Sequence, residues 1–294
     1  MNNHNSSENR PTIGVLYICT GRYRVFWPKY YATFRTYFFP GYKRKIFIFS
    51  DTPREYFTQN TQDDESIELI HVDIENKPWP FITLLRYRLF VEHKDLWKTC
   101  DYIFFTNCDY VFHQQISSEI LPSAEESGLV IAELQKSIEL NPTEYPYERN
   151  PESTAYIPIG KGSHYYTGAF NGGKTDSFLK LCFAINEATN RDLENDIIAV
   201  WHDESQLNAY LVDKKVRILP PWYVWPSYWI TRKNRHMVIA GPEDKDLHGG
   251  HAWLRGATDK KKKSKFMRRL PRYIAIATAA VVAIASGIYY FLSQ

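Results

Sequence analysis

The sequence predicts an α/β protein with a parallel sheet covered by helices. Apolar runs of strand length alternate with helix-like segments through the first third of the chain. The 294 residues suffice for a large domain with a sizeable core, and 44% of them are hydrophobic. Ligands of such sheets collect at the carboxyl ends of the strands, so we expect a site in the turns that follow the strands.

The first half of the chain contains the clearest strand and helix signals. An apolar run at Thr12–Thr20, closed by Gly21, predicts the first buried strand. A helix is predicted at Phe26–Phe39, with Pro28 near its start, a position that proline favours. The next elements are predicted in this order: strands at Lys45–Ser50 and Ile67–Val72, a helix from Pro80 to Trp97, and a strand at Tyr102–Thr106.

The middle of the chain is richer in turn residues. Pro142–Pro158 contains many prolines, tyrosines and glutamates and is predicted to be a loop that crosses toward the site. Tyr165–Gly173 is predicted to be a turn-rich aromatic segment whose glycines permit close backbone approach to a ligand. Asp176–Asn190 follows as a helix with apolar residues on one face.

Two adjacent carboxylates, Asp203 and Glu204, precede a predicted helix, Gln206–Val212, on which Leu207 and Leu211 recur at helical spacing. Asp203 is a favourable N-cap residue, which would place Glu204 in the first turn. A carboxylate there tends to stay ionised, which suits a nucleophile or a stabiliser of positive charge. These residues alone favour the simpler interpretation that both carboxylates only stabilise the helix start.

The charge pattern separates the globular part from a C-terminal basic run. Eight of the 36 basic residues fall in Lys260–Arg272, and the other 28 are outnumbered by 33 acidic residues. The globular part is therefore not predicted to bind nucleic acid. The four cysteines, at no metal-ligand spacing, are predicted to be reduced thiols in a domain that faces the cytosol.

The C-terminal segment predicts membrane attachment. Tyr273–Leu292 is a run of 20 uncharged residues, long enough for a transmembrane helix. The preceding Lys260–Arg272 should keep the N-terminal part cytoplasmic and attract anionic lipid headgroups. An amphipathic surface helix is the alternative, but the segment has no polar face. Met1–Pro11 is polar and shows neither a signal peptide nor an anchor.

Four separated stretches, in the right order and at compatible spacings, carry a family resemblance. They are Gly21–Tyr23, Tyr147–Pro158 (YERNPESTAYIP), Tyr165–Gly173 (YYTGAFNGG) and Ala199–Leu211 (AVWHDESQLNAYL). Together they resemble glycosyltransferase family 6, the retaining α1,3-galactosyl and N-acetylgalactosaminyl transferases that include the blood group A and B enzymes. The resemblance implies a GT-A fold, a Rossmann-like mixed sheet flanked by helices. The resemblance covers roughly residues 12–240, which we assign to a GT-A catalytic domain. Composition assigns the rest to a disordered N-terminus (1–11), a linker with the polybasic run (241–272) and a transmembrane helix (273–292).

The resemblance also implies a donor site for a UDP-sugar. Ile18, Thr20 and Tyr23 would hold the uridine, with Tyr23 stacked on the base. Arg86 resembles the arginine that contacts the donor, and Asp203 the residue that hydrogen-bonds hydroxyls of the transferred sugar. The residues that resemble those distinguishing galactose from N-acetylgalactosamine are Thr167 and Ala169. Thr167 is small enough for an acetamido group, whereas Ala169 often accompanies galactose, and we expect N-acetylgalactosamine.

The resemblance assigns the chemistry to Glu204, which is similar to the candidate nucleophile, and the acceptor galactose to Trp201. It implies that N-acetylgalactosamine or galactose is transferred to a galactose-containing, possibly fucosylated acceptor, as an oligosaccharide or a lipid-linked glycan. Other activities on the same scaffold stay open. They include a different donor or acceptor, a non-catalytic carbohydrate-binding membrane protein, and a scaffold recruited to lipid by its basic tail.

The sequence departs from the animal members of the family at Asn107-Cys108-Asp109, where they carry Asp-x-Asp for Mn²⁺. An amide is a weaker ligand than a carboxylate for a hard cation, so we predict weak or absent metal dependence, with Asp109 as the ligand if Mn²⁺ binds. The charge of the leaving diphosphate would then need protein cations, for which the candidates are Arg232, Lys233 and Arg235. Trp222 and Pro226 also depart, because animal members tend to have acidic residues there.

Overall fold

The computed structural model describes residues 10–123, 125–134 and 140–259. Nine strands form a seven-stranded and a two-stranded sheet. The strands are β1 Ile13–Ile18, β2 Arg44–Ser50, β3 Ile67–Asp73, β4 Tyr102–Thr106, β5 Tyr110–Phe112, β6 Leu129–Glu133, β7 Tyr166–Lys174, β8 Arg217–Leu219 and β9 Ala240–Pro242. The α-helices are α1 Trp27–Tyr37, α2 Arg54–Gln59, α3 Phe81–Leu84, α4 Arg86–Glu92, α5 Lys94–Trp97, α6 Thr175–Glu194, α7 Asp203–Leu211 and α8 His251–Leu254.

The large sheet is mixed, with the strand order β3-β2-β1-β4-β7-β6-β8. Strands β1 to β4 pair in parallel, as the sequence predicts, whereas β7 runs antiparallel to both β4 and β6. The parallel sheet predicted from the residue pattern is therefore confirmed for β1 to β4 only, and the whole sheet is mixed, as the family resemblance implies. Apolar residues are buried in two large clusters, and the mixed sheet flanked by helices is consistent with the GT-A fold.

Strand β7 replaces the turn-rich segment predicted at Tyr165–Gly173. Its glycines serve close packing within the sheet. A Cβ at Gly172 would lie 2.4 Å from the carbonyl oxygen of Ile103, and one at Gly173 would lie 2.1 Å from that of Gly128. Only residues without a side chain fit at these two positions. The glycines that suggest a turn in the sequence are therefore required by close packing in a central strand.

The helix predicted from Pro80 to Trp97 is divided into α3, α4 and α5. The breaks fall at Leu85 and His93, whose ψ angles of 12° and 18° leave the helical region. Neither residue is a proline or a glycine, so residue types give no sign of the breaks. The consequence for the site is that Arg86 begins its own short helix.

Two compact units divide the chain, the first ending at Asp244 and the second beginning at Lys245. The described part of the second unit holds a 3₁₀ turn, Lys245–His248, and the short helix α8. The predicted basic run and transmembrane helix, residues 260–272 and 273–292, lie outside the described residues. Within 10–123, 125–134 and 140–259, no helix combines the length and hydropathy needed to cross a bilayer.

Candidate active site

The carboxyl ends of β1, β2 and β4 lie at one edge of the sheet because these strands run in parallel. The backbone N–H of Gly21, after β1, donates to Asp51 Oδ1, after β2, at 2.8 Å. The Tyr17 hydroxyl donates to the carbonyl oxygen of Cys108, after β4, at 3.2 Å. Gly21 has a φ of +57°, a backbone conformation that glycine adopts without steric cost. The turns after three strands are thereby joined.

The start of β7 reaches the same edge because β7 runs antiparallel to β4. The backbone N–H of Asn107 donates to the carbonyl oxygen of Ala169 at 3.0 Å. Most of the predicted donor residues therefore line one edge, although their contacts with a donor stay predictions. Their burial varies: Thr20 and Thr167 are buried, whereas Ile18, Tyr23, Asn107 and Ala169 are half-buried.

Glu204 is held by three hydrogen-bond donors from the start of β7 and the residue before it. Its Oε1 accepts from the Tyr165 hydroxyl at 2.8 Å. Its Oε2 accepts from the backbone N–H of Gly168 at 2.7 Å and from the Thr167 hydroxyl at 3.2 Å. Such fixed donors orient a carboxylate, and they leave one lone-pair site of Oε1 for a substrate.

Burial raises the pKa of Glu204, whereas the donors at Gly168, Tyr165 and Thr167 act in the opposite direction. Burial and the neighbouring Glu204 carboxylate raise the pKa of Tyr165 far above its ordinary value. The tyrosine therefore stays protonated and keeps donating its hydrogen bond to Glu204. A carboxylate with a raised pKa is more basic and a better nucleophile than an exposed one.

Asp203 forms a buried ion pair with Arg86 at the start of α4. Asp203 is 2% exposed and Arg86 is 3% exposed. Burial raises the pKa of Asp203, Arg86 lowers it and Glu204 raises it, and the net result is a pKa of about 7. The guanidinium also lies 4.3 Å from the centre of the Phe105 ring. Arg86 thus supplies a positive charge beside both carboxylates, a pairing that the sequence did not predict.

Gly168 gives the ion pair its space. A Cβ at this position would lie 2.5 Å from Arg86 Nη2 and 3.2 Å from Asp203 Oδ2. The absence of a side chain lets β7 approach the buried charges while its N–H binds Glu204.

Helix α7 begins one residue earlier than a cap at Asp203 would require. Asp203 is the first helical residue and His202 is the N-cap, so the predicted capping role of Asp203 is wrong. His202 has a φ of +55°, an uncommon conformation for a residue other than glycine. This sharp turn directs Asp203 toward Arg86 and Glu204 toward β7. Such backbone outliers cluster at functional sites.

Asn208, one turn after Glu204, is a site residue that sequence reasoning missed. Its amide accepts from the backbone N–H of Tyr166 at 2.9 Å and donates to the carbonyl oxygens of Tyr166 and Glu204 at 2.8 Å each. Asn208 therefore fixes α7 to β7 as a neighbouring strand would. The available signal was its polar side chain on a helix face otherwise occupied by leucines.

Glu148 is a second missed residue, from the predicted loop. Its carboxylate is 7% exposed and accepts from the backbone N–H of Val200 at 2.6 Å and of Asn150 at 2.8 Å. Val200 belongs to the turn that leads into His202 and α7. The buried Glu148 carboxylate thus fixes the turn that precedes Asp203 and Glu204.

We predict that Glu148→Ala lowers kcat/KM about 10- to 100-fold through displacement of the turn, while UDP affinity is retained. Glu148→Gln should restore only part of the activity, because its amide oxygen can accept the Val200 N–H but its NH₂ group cannot accept the Asn150 N–H. The exposed neighbour Glu152 provides the matched control, Glu152→Ala. Steady-state kinetics and UDP titration check the result, and unchanged kinetics in Glu148→Ala would contradict it.

The predicted acceptor residue Trp201 is 49% exposed on the same turn. Its backbone N–H donates to Ser205 Oγ at 3.0 Å, which fixes the residue to α7. The His202 ring lies 5.2 Å from the ring of the exposed Trp79. An open aromatic surface therefore borders the carboxylates, and its contact with an acceptor stays a prediction.

The predicted metal position has few donors. Asp109 is 2% exposed, its backbone carbonyl accepts from the Glu243 N–H at 2.7 Å, and Asn107 offers only an amide. Among the described residues, no group of three or more histidine, cysteine or acidic side chains could hold a metal ion. A divalent cation shared with substrate phosphates needs only one or two protein ligands, so Asp109 and Asn107 would hold one if it binds.

The cations predicted for the diphosphate, Arg232, Lys233 and Arg235, lie on an exposed turn before β9. Their role toward the diphosphate stays a prediction.

A profile described as glycosyltransferase family 6 matches residues 2–245. The chain is 33% identical over 237 residues to the O-antigen biosynthesis glycosyltransferase WbnI of Escherichia coli, covering 81% of this chain and 97% of the relative. It is 31% identical over 221 residues to globoside alpha-1,3-N-acetylgalactosaminyltransferase 1 of Gallus gallus, covering 73% of this chain and 62% of that protein.

It is also 30% identical over 237 residues to histo-blood group ABO system transferase 2 of Rattus norvegicus, covering 78% of this chain and 69% of the relative. The resemblance seen in the four sequence stretches is confirmed. The chain belongs to glycosyltransferase family 6.

Proposed function

We propose that the chain is a retaining α1,3-glycosyltransferase that moves N-acetylgalactosamine or galactose from a UDP-sugar to a galactose-containing glycan. The observation that carries the proposal is the oriented Glu204 carboxylate, with three donors on one side and the Arg86–Asp203 pair beside it. A fixed anion of this kind stabilises the positive charge that develops on a transferred sugar.

In the reaction, the bond between the anomeric carbon and the UDP oxygen breaks and a bond to an acceptor hydroxyl oxygen forms. Glu204 acts either as a nucleophile in two successive inversions or as the anion that stabilises an oxocarbenium-like transition state during front-face attack. Asp203 hydrogen-bonds sugar hydroxyls, and Arg86 keeps it ionised. The acceptor proton leaves with the diphosphate oxygen in front-face attack.

The donor and acceptor classes are supported by the relatives' names and by the small side chains at the start of β7. One relative is named for alpha-1,3-N-acetylgalactosamine transfer and another for the blood group ABO system. Thr167 leaves room for an acetamido group, so N-acetylgalactosamine is the proposed donor sugar. WbnI is named for O-antigen biosynthesis, which favours a glycan of a bacterial envelope as the acceptor, free or lipid-linked.

A C-terminal membrane anchor with the catalytic unit on the cytoplasmic side is part of the proposal. It rests on the basic run Lys260–Arg272 and on the uncharged segment that follows. Transfer without a divalent metal is also proposed, because Asn107 offers an amide, which is a weaker ligand for a hard cation than the carboxylate that animal members carry there.

The test incubates purified full-length protein with UDP-N-acetylgalactosamine or UDP-galactose and a fucosylated galactose acceptor. UDP release and the anomeric configuration of the product are followed in EDTA and again with Mn²⁺. We expect an α-linked product in EDTA, formed faster from UDP-N-acetylgalactosamine. Transfer only with Mn²⁺ would contradict the metal proposal, and UDP binding without transfer to a panel of galactosides would contradict the proposed acceptor class.

A further inference from the structure

An exposed turn between Trp225 and β9 combines large apolar and basic side chains. Tyr228, Trp229 and Met237 are 58%, 39% and 39% exposed. Three basic residues on the same turn are exposed, and residues 228–239 contain no acidic residue. We call residues 228–237 the aromatic–basic turn.

The turn is a fixed structure. The Asn234 side chain accepts from the Thr231 N–H at 2.7 Å and donates to the carbonyl oxygen of Trp229 at 3.0 Å. Gln114 Nε2 donates to the carbonyl oxygens of His236 and Val238 at 3.0 and 2.7 Å. The exposed side chains therefore project from a braced surface whose ordering cost is met on folding.

The aromatic residues of the turn belong to a cluster of three tryptophans. The ring of Trp229 lies 6.0 Å from that of Trp225, which lies 4.6 Å from that of Trp222. Tyrosine and tryptophan with lysine and arginine are the residues enriched where proteins meet the headgroup level of a bilayer. The rings enter the interface while the cations meet anionic headgroups.

We propose that the aromatic–basic turn docks the catalytic unit on an anionic lipid surface. This contact is separate from the predicted C-terminal anchor and does not depend on the transfer reaction. A nucleic acid fits the turn less well, because acidic residues outnumber basic ones over the chain outside Lys260–Arg272. The same three cations are those that the sequence assigns to the donor diphosphate, so the two roles need a direct comparison.

The experiment uses the full chain with Tyr228→Cys carrying an environment-sensitive fluorophore. Cys108→Ala removes the one native cysteine that is not buried among the four. A matched probe at Phe183→Cys, on α6, reports a surface of similar exposure, 44%. Both proteins are mixed with vesicles of neutral phosphatidylcholine and with vesicles containing phosphatidylglycerol.

We expect a blue shift of the emission at position 228 with the anionic vesicles, and little shift at position 183. Neutralising the cations (R232Q, K233Q and R235Q together) should remove the shift at position 228. UDP titration of the same protein tests the diphosphate role separately. Equal shifts at positions 228 and 183 would assign the effect to the tail and overturn the proposal. It would also be overturned by an equal shift with neutral vesicles, or by a shift with anionic vesicles that persists in the neutralised protein.

Discussion

Replacing Glu204 with glutamine should lower turnover by about 10³-fold or more, equivalent to about 4 kcal/mol of activation barrier. The substitution keeps the shape of the side chain but removes the negative charge that faces the transferred sugar. UDP affinity should change little, because Glu204 binds Tyr165, Thr167 and Gly168 and has no assigned contact with the nucleotide.

The variant should also fold. The amide oxygen of glutamine can accept the fixed N–H of Gly168, while its NH₂ group can donate to the Tyr165 hydroxyl after that group rotates. Single-turnover kinetics and UDP titration measure the two effects separately. Glu133→Gln is the matched control, since Glu133 ends β6 and accepts a hydrogen bond from His164 at 3.1 Å. Turnover like that of the unchanged protein in Glu204→Gln would refute the assigned role.

Replacing Arg86 with methionine should lower the free energy of unfolding by about 3–5 kcal/mol. Asp203 would be left buried without its cation, because both side chains of the pair are less than 5% exposed. Urea unfolding measures the loss. The double variant Arg86→Met with Asp203→Asn should recover part of it, because no uncompensated charge then remains.

Arg88 offers a matched control two residues further along α4. It is half-buried and hydrogen-bonds the neutral side chain of Asn190, so Arg88→Met leaves no buried charge unpaired. We expect a loss near 1 kcal/mol for this variant. Equal losses at the two positions would mean that the Arg86–Asp203 pair contributes no more than packing.

The sequence could predict the elements whose residue pattern agrees with their environment. Strands β1, β2 and β4 contain continuous apolar runs, because strands inside the sheet are covered on both faces. Strand β7 lies in the same sheet but carries a Gly–Gly pair, required by the carbonyl oxygens of Ile103 and Gly128. The two glycines suggest a flexible turn in the sequence, whereas in the structure they allow the neighbouring strands to approach β7 closely.

Some residues of the site could be predicted from the sequence and others could not. The importance of Glu204 and Asp203 to the site could be predicted from motifs that resemble a family, and their roles toward a substrate stay predictions. Asn208 and Glu148 could not, because each acts on backbone groups that are distant along the chain. The positive φ of His202 has only a weak sequence signal, because histidine adopts positive φ more often than most residues but far less often than glycine.

The three hydrogen bonds of Asn208 have a consequence for motion during turnover. They make α7 and the start of β7 a single rigid body that contains Glu204 and its three donors. Substrate entry and UDP release therefore cannot be gated by separating these two elements without breaking buried hydrogen bonds. Any opening and closing must be carried by segments outside this body, so the Glu204 carboxylate keeps one geometry while they move.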